Sequence, residues 1–141
     1  MNEYRKRLMP NVYLTVLPAR KFKTGCLSAQ FITALDRDRA SYNALLPAVL
    51  NRGTMRYPDM ESLSAAMDTL YGTTITTTVR KNGERQCVGF VASCIDDRFA
   101  PGGEKLLEPM AELVGELFLD PVTHGGHYLK EYVDSEKVTL I

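Results

Sequence analysis

The fold is decided by residues 43–72, which read NALLPAVLNRGTMRYPDMESLSAAMDTLYG. Apolar side chains recur there every three or four residues in two runs, and this spacing predicts two amphipathic helices. Gly53 is placed to end the first helix, and Asp59 is placed to cap the second. The side chains predicted to face the core are Tyr42, Leu45, Leu46, Val49 and Leu50 in the first helix and Met60, Leu63, Met67, Leu70 and Tyr71 in the second.

Two strands are predicted on the N-terminal side of these helices. Residues 11–17 alternate between two faces and end at Pro18, and residues 26–35 alternate in the same way. The basic cluster at residues 5–7 is predicted to be a solvated N-terminal flank. The apolar face predicted for the second strand consists of Leu27, Ala29, Phe31, Thr33 and Leu35.

Two more strands are predicted after the helices. Residues 75–79 alternate apolar and polar side chains and lead to Asn82-Gly83, a dipeptide that is typical of a type I′ hairpin turn. The return strand is predicted to span residues 84–95. Its buried face is predicted to consist of Val88, Phe90 and Ala92.

The last third of the chain is predicted to form two further helices. The third helix is marked by Leu106, Leu107, Met110, Leu113, Val114, Leu117 and Phe118 at helical spacing. A final helix is predicted from about Tyr128, with Tyr132, Val133 and Leu140 facing inward. The order ββααββαα predicts an α+β fold, a two-layer sandwich whose mostly antiparallel sheet carries the helices on one face.

The composition is that of an ordinary globular domain, with 45% hydrophobic and 24% charged residues among 141. Seventeen basic residues balance seventeen acidic ones, so no net charge attracts the chain to nucleic acid or to an anionic membrane. No apolar run in the sequence is long enough to span a bilayer. We therefore expect a cytoplasmic protein with no nucleic-acid or membrane partner. Cys26, Cys87 and Cys94 follow no metal-binding spacing and are expected to be reduced, half-buried thiols.

Five short motifs mark the chain from end to end. They are Phe22-Lys23-Thr24, Arg52-Gly53-Thr54, Tyr57-Pro58, Tyr71-Gly72 and Asp134-Ser135-Glu136-Lys137. In this order they resemble the pitrilysin/insulinase family of inverzincin zinc metallopeptidases, and most closely its non-catalytic bacterial branch. The resemblance implies a metallopeptidase-like half domain of the mitochondrial-processing-peptidase type. Residues 1–141 are then expected to be a single domain, the N-terminal part of a longer two-domain peptidase-like protein.

The resemblance also locates a metal site. Active members carry H-x-x-E-H on the first helix, where two histidines bind zinc and the glutamate activates the metal-bound water. Aligned on Arg52, these positions are Ala44, Pro47 and Ala48, and the distant glutamate ligand matches Glu136. Neither a methyl group nor a proline ring binds a metal or moves a proton. We therefore expect no zinc, no other cofactor and no catalytic residue, and interpret Glu136 as an exposed helix carboxylate.

A second candidate metal site is the H-x-x-H-x-x-x-E pattern of His124, His127 and Glu131. On a continuous helix these side chains would share one face and suit a metal ion. Gly125 and Gly126 separate the histidines and favour a surface loop that leads into a helix.

Three functions fit these patterns. The first, implied by the resemblance, is a catalytically silent subunit or scaffold that binds extended peptide or an active peptidase partner. Peptide is expected to pair with a sheet edge, either the Thr-rich strand or residues 26–35. The second is an active zinc metallopeptidase with ligands drawn from His124, His127, Glu131 and Glu136. The third is a small α+β binding module unrelated to peptidases.

Self-association is a further expected interaction. Half of a larger fold exposes an apolar face, and a second copy of the chain can cover it.

Overall fold

The computed structural model describes residues 3–140, and within them the chain forms seven strands and four α-helices. The α+β class is confirmed, and the predicted order of elements is present with β1, β6 and β7 added to it. The strands are β1 (Tyr4–Met9), β2 (Val12–Val16), β3 (Thr24–Ala34), β4 (Thr74–Asn82), β5 (Arg85–Ile95), β6 (Thr123–His124) and β7 (His127–Tyr128). The helices are α1 (Ala40–Leu50), α2 (Met60–Thr69), α3 (Leu107–Leu119) and α4 (Lys130–Leu140).

A three-stranded antiparallel sheet, in which β5 lies between β3 and β4, forms the centre of the fold. Every second residue of β5 is buried, and Val88, Phe90 and Ala92 lie in the core as predicted. Side chains from α1, α2 and α3 join the same core cluster, so these helices cover one face of the sheet. Among residues 3–140, the outer edges of β3 and β4 pair with no further strand.

Helix α1 turns the predicted face to the core at Leu46, Val49 and Leu50, but not at Tyr42. Tyr42 is 72% exposed, whereas Pro47 is buried beside Val49 and Leu50. A buried proline leaves no unpaired backbone N–H at its own position, because it has none. The prediction that Tyr42 faces the core is therefore wrong, and Pro47 takes a core position that the sequence pattern did not assign to it.

Several other side chains predicted to face the core are exposed. Most of them lie at the ends of their elements, where the neighbouring elements no longer cover them. They are Met60, Tyr71, Leu107 and Leu140 on or beside helices and Phe31, Thr33 and Leu35 at the C-terminal end of β3.

The turn between β4 and β5 differs from the predicted one. Asn82 pairs with Arg85, so the two-residue loop is Gly83-Glu84 rather than Asn82-Gly83. Gly83 has a φ of +59°, and Glu84 does not have a positive φ. A positive φ at the first loop residue alone is the pattern of a type II′ turn, which requires glycine there. The predicted turn is therefore wrong in its type, and its loop was placed one residue too early.

The start of α2 is as predicted. The Ser62 amide donates a hydrogen bond to the Asp59 carboxylate at 2.8 Å, and the Asp59 amide donates to Ser62 Oγ at 3.4 Å. This reciprocal pair is a capping box, with serine in the position that more often holds glutamate or glutamine. The hydrogen bonds from Ser62 lower the pKa of Asp59 below its usual value.

Residues 5–7 are exposed to solvent, as predicted, but they lie in a strand that the sequence pattern did not indicate. β1 pairs with β2, and Arg7 lies opposite Tyr13 in this hairpin. The guanidinium of Arg5 lies 4.9 Å from the ring centroid of Tyr13, and every residue of both strands is exposed. Three consecutive charged residues hide the two-residue period by which a strand is recognised in a sequence.

Helix α4 begins at Lys130 rather than at Tyr128, because Tyr128 belongs to β7. Within residues 3–140, no helix has both the length and the apolar character that traversing a bilayer requires.

The contact between the two longest strands gives a test of the packing. Gly89 lies in β5, and a Cβ atom there would stand 2.1 Å from the backbone oxygen of Ala29 in β3. We expect Gly89→Ala to lower the free energy of unfolding by about 3 kcal/mol, because the two strands must separate to admit the methyl group. Urea unfolding, followed by circular dichroism, measures this change.

Gly115→Ala is the matched control. Gly115 lies within α3, and a Cβ atom there would meet no other atom within 4 Å. Since alanine favours a helix over glycine by roughly 0.5–1 kcal/mol, this variant should be as stable as the native chain or more stable. Equal stability of the two variants would contradict the close approach of β3 and β5.

Candidate functional site

The residues aligned with the zinc motif lie on α1. Ala44 and Ala48 are half-buried, and Ala48 lines a cavity of about 190 Å³ between α1, α2, α4 and the sheet. Glu136 of α4 lines the same cavity, so two positions that are far apart in the sequence meet there. The side chains around the cavity belong to Ala48, Asn51, Arg52, Met60, Thr77 and Glu136.

The turn after α1 fixes the shape of one wall of this cavity. A Cβ atom on Gly53 would lie 2.6 Å from the backbone oxygen of Tyr57, so only glycine fits there. Thr54 is fully buried, and its hydroxyl accepts a hydrogen bond from the Tyr57 amide at 3.0 Å. Gly53 was expected to end the helix, but α1 ends at Leu50 with Asn51 as its C-cap. Gly53 is required for this close approach, and it has no positive φ.

The same turn is tied to the segment that leads into α4. The Met55 amide donates a hydrogen bond to the backbone oxygen of Asp120 at 3.0 Å, and the Val122 amide donates to that of Gly53 at 3.1 Å. Further along, the Tyr132 hydroxyl donates to the backbone oxygen of Pro58 at 3.2 Å. These bonds hold α4 beside the end of α1.

Arg52 and Glu136 form an ion pair across this junction. Nε of Arg52 lies 2.6 Å and Nη2 lies 2.5 Å from the same carboxylate oxygen, Oε1 of Glu136. The side chains are only 24% and 14% exposed. The interpretation of Glu136 as an exposed carboxylate is therefore wrong, because its charge is compensated inside the fold.

The residues present do not fit a catalytic zinc ion. Such a site takes three protein ligands, and Ala44 and Ala48 offer methyl groups where imidazoles are needed. Pro47 points into the core and carries no proton-transferring group. Glu136 carries a carboxylate, which can bind zinc, but one of its oxygens, Oε1, already accepts a hydrogen bond from Arg52. Within residues 3–140, no three His, Cys, Asp or Glu side chains come together in a way that could hold a metal ion.

His124 and His127 face each other across a short hairpin. They pair in β6 and β7, and the loop between them is Gly125-Gly126, with φ of +60° and +77°. Positive φ at both loop residues is the pattern of a type I′ turn. Both histidines are exposed, and Glu131 lies on α4, which begins only after the hairpin. The continuous helix that a shared metal face requires is not formed, and the predicted surface loop is a tight hairpin.

The cysteines provide no nucleophile at this site. Cys87 and Cys94 lie in β5 on opposite faces, and Cys26 lies in β3. Cys94 is buried, and this burial raises the pKa of its thiol, as do the nearby charges of Asp97 and Asp96. Only Cys87 is half-buried, since Cys26 is exposed, so the expectation of three half-buried thiols is wrong for the other two.

The sequence pattern did not mark Arg52, Asn51, Met60 or Thr77 as site residues. Arg52 served only to align the motif. One signal was available for it, because a residue four positions after Ala48 lies near the same side of a helix. No comparable signal exists for Thr77, because its place at the cavity depends on how the sheet packs against the helices.

The Arg52–Glu136 pair makes a measurable prediction. We expect Arg52→Met to lower the free energy of unfolding by about 2 kcal/mol, because it leaves a largely buried carboxylate without a partner. The double variant Arg52→Met/Glu136→Gln should lose less free energy of unfolding than the two single variants lose together. The difference should be about 1 kcal/mol or more. Urea unfolding of the four proteins gives this coupling energy.

Arg98→Met is the control for that cycle. Arg98 pairs with Asp96, two residues away, at 2.8 Å, and its side chain is 52% exposed. Its loss should change stability much less than the loss of Arg52, because water compensates an exposed pair. A coupling energy of zero between Arg52 and Glu136 would contradict the pairing.

Comparisons with known proteins find a related sequence and a related structure. The sequence is 34% identical over 125 residues to the protein named Probable inactive metalloprotease YmfF of Bacillus subtilis (strain 168). The match covers 89% of this chain, and the chain spans 29% of the length of that relative. No family model matches the sequence.

In structure, the chain matches a conserved protein from Enterococcus faecalis V583 whose crystal structure is known. The TM-score is 0.93 at 24% sequence identity, over 99% of this chain and 33% of the other, so this likeness concerns the fold alone. The chain is therefore a relative of a metalloprotease-like protein whose name marks it as inactive, and it shares its fold with part of a longer conserved protein.

Proposed function

We propose that this chain is a catalytically silent zinc-peptidase-like unit that holds an extended peptide without cleaving it. The observation that carries the proposal is the cavity in which Ala48 and Glu136 meet beside Thr77 of β4. It keeps the position of a peptidase site while the groups needed for cleavage are replaced.

The replaced groups account for the absence of cleavage. Hydrolysis of a peptide bond requires an activated water and a base that accepts its proton. Ala44 and Ala48 supply neither, and Pro47 faces the core. The one carboxylate at the cavity, on Glu136, forms an ion pair with Arg52.

The peptide is proposed to bind along the outer edge of β4. An extended peptide adds to a sheet through main-chain hydrogen bonds, and it needs a strand whose outer edge is unpaired. Both β3 and β4 qualify among residues 3–140, but only β4 contributes a residue, Thr77, to the cavity. This favours β4 over the strand at residues 24–34, a choice that the sequence alone left open.

The wider assignment follows from the same residues. We infer that the chain belongs to the non-catalytic branch of the pitrilysin/insulinase family, because it carries the Arg52-Gly53-Thr54 motif while Ala44, Pro47 and Ala48 stand at the functional positions of H-x-x-E-H. Since the chain spans 29% of its relative, the partners of the whole protein belong to this proposal too. They are an active peptidase homologue or a second copy of the chain.

Peptide binding provides the test. The probe is a fluorescein-labelled, unstructured peptide of about ten residues, and binding is measured by fluorescence anisotropy. We expect Thr77→Arg to weaken binding by about tenfold or more, since a long charged side chain then fills the cavity beside β4. The peptide should remain intact by mass spectrometry after prolonged incubation with Zn²⁺.

Thr33→Arg is the matched control. Thr33 is also an exposed threonine on an edge strand, it lies on the same face of the sheet, and it lies in β3 away from the cavity. This variant should bind the peptide as the native chain does. An equal loss of peptide affinity in both variants would contradict binding at the edge of β4. Zinc-dependent cleavage of the peptide by the native chain would refute the proposal that the chain is catalytically silent.

A further inference from the structure

We propose that the cavity lined by Ala48, Asn51 and Glu136 binds one side chain of the extended peptide, and that this side chain ends in a carboxamide, as in glutamine. Asn51 and the second carboxylate oxygen of Glu136 are the groups that determine this specificity. The inference rests on the proposed function, because the peptide must lie along the outer edge of β4 to present a side chain to the cavity.

The first support is the direction in which the side chains of an added strand point. Thr77 of β4 pairs with Phe90 of β5, and the side chains of paired residues lie on the same face of a sheet. Phe90 is fully buried in the core cluster, so Thr77 lies on the face that the helices cover. Since successive side chains of a strand alternate between the two faces, every second side chain of a peptide on β4 points to the side on which the cavity lies.

The second support is the space that the cavity offers. Its volume is about 190 Å³, whereas a single water molecule requires only roughly 10–15 Å³. Ala48 contributes no more than a methyl group to the wall, and Met60 contributes a flexible side chain that adapts its shape to a ligand. The cavity is therefore large enough for a side chain of several heavy atoms.

The third support is a pair of polar groups that the fold leaves available to a ligand. Nε and Nη2 of Arg52 both contact Oε1 of Glu136, and within residues 3–140 Oε2 accepts no hydrogen bond. Asn51 is half-buried at the C-cap of α1, and its carboxamide likewise has no hydrogen-bond partner in the described part of the chain. The cavity therefore offers the acceptor Oε2 together with the donor and the acceptor of the Asn51 side chain.

The charges at the cavity disfavour an ionised ligand. The two charged residues that line it, Arg52 and Glu136, pair with each other. A lysine side chain would meet the guanidinium of Arg52, and a glutamate side chain would meet the carboxylate of Glu136. A carboxamide is neutral and carries both donors and an acceptor. Its NH₂ group donates to Oε2 of Glu136, and its oxygen accepts a hydrogen bond from Nδ2 of Asn51.

The test compares four peptides on the native chain. Each is a fluorescein-labelled peptide of about ten residues in which serine and threonine alternate, with glutamine, glutamate, lysine or methionine at one central position. Because the rest of the peptide repeats, it can shift along β4 until the central side chain reaches the cavity. Fluorescence anisotropy measures the four affinities.

The expected result is that the glutamine peptide binds about tenfold more tightly than each of the other three, as two hydrogen bonds of ordinary net strength provide. Methionine matches glutamine in length but lacks the carboxamide, so it separates hydrogen bonding from the filling of space. Glutamate matches glutamine in shape but carries a charge, so it tests the electrostatic part of the argument.

Two variants test the role of Asn51. Asn51→Leu nearly keeps the size of the side chain and removes its carboxamide, so it should bind the glutamine and methionine peptides equally. Asn51→Asp adds a negative charge, and it should bind the lysine peptide more tightly than the glutamine peptide. Gln30→Leu is the matched control, because it removes a carboxamide from β3, away from the cavity, and should keep the native preference. Thermal unfolding, followed by circular dichroism, reports whether each variant is folded.

Three results would overturn the inference, and they are distinguishable. Equal affinity of the native chain for all four peptides, with binding still weakened by Thr77→Arg, would contradict the carboxamide pocket while the proposed function stands. A glutamine preference that survives in folded Asn51→Leu would contradict the role of Asn51. Absence of binding of every peptide to the native chain would contradict the proposed function, and the inference would fail with it.

Discussion

The ion pair between Arg52 and Glu136 is the interaction on which the architecture of the candidate site depends. It joins the turn after α1 to the middle of α4, and it is largely shielded from water, so its loss leaves a charge that nothing else in the cavity compensates. The buried Thr54 and the side-chain-free Gly53 hold the turn in the conformation that presents Arg52 to α4. This short sequence motif therefore has a structural role in the site.

The elements of the fold that depend on local sequence could be predicted. Asp59 was assigned as a helix cap from its place before an apolar run, and the capping box with Ser62 bears this out. The buried face of β5 follows from a two-residue period, and Phe90 at its centre is fully buried. The turn at Gly83 was placed one residue too early, because glycine suits two kinds of tight turn and the register of the strands decides between them.

The features that the sequence did not reveal depend on contacts between distant segments. Pro47 was considered only as a position of the metal motif, and its burial depends on how α1 lies against the sheet. Glu136 was judged exposed because carboxylates usually are, and only the fold shows that Arg52 lies beside it. The absence of imidazole ligands at positions 44 and 48 was readable from the sequence, whereas the ion pair between Arg52 and Glu136 was not.

The unpaired edge of β3 has a consequence for the chain in concentrated solution. Its eleven residues, TGCLSAQFITA, include no charged side chain and no proline, the two devices by which natural edge strands avoid joining other sheets. Phe31 and Ile32 add exposed apolar surface at one end of it. Among residues 3–140 no further strand covers this edge, and an edge of this kind is a template for sheet growth between molecules.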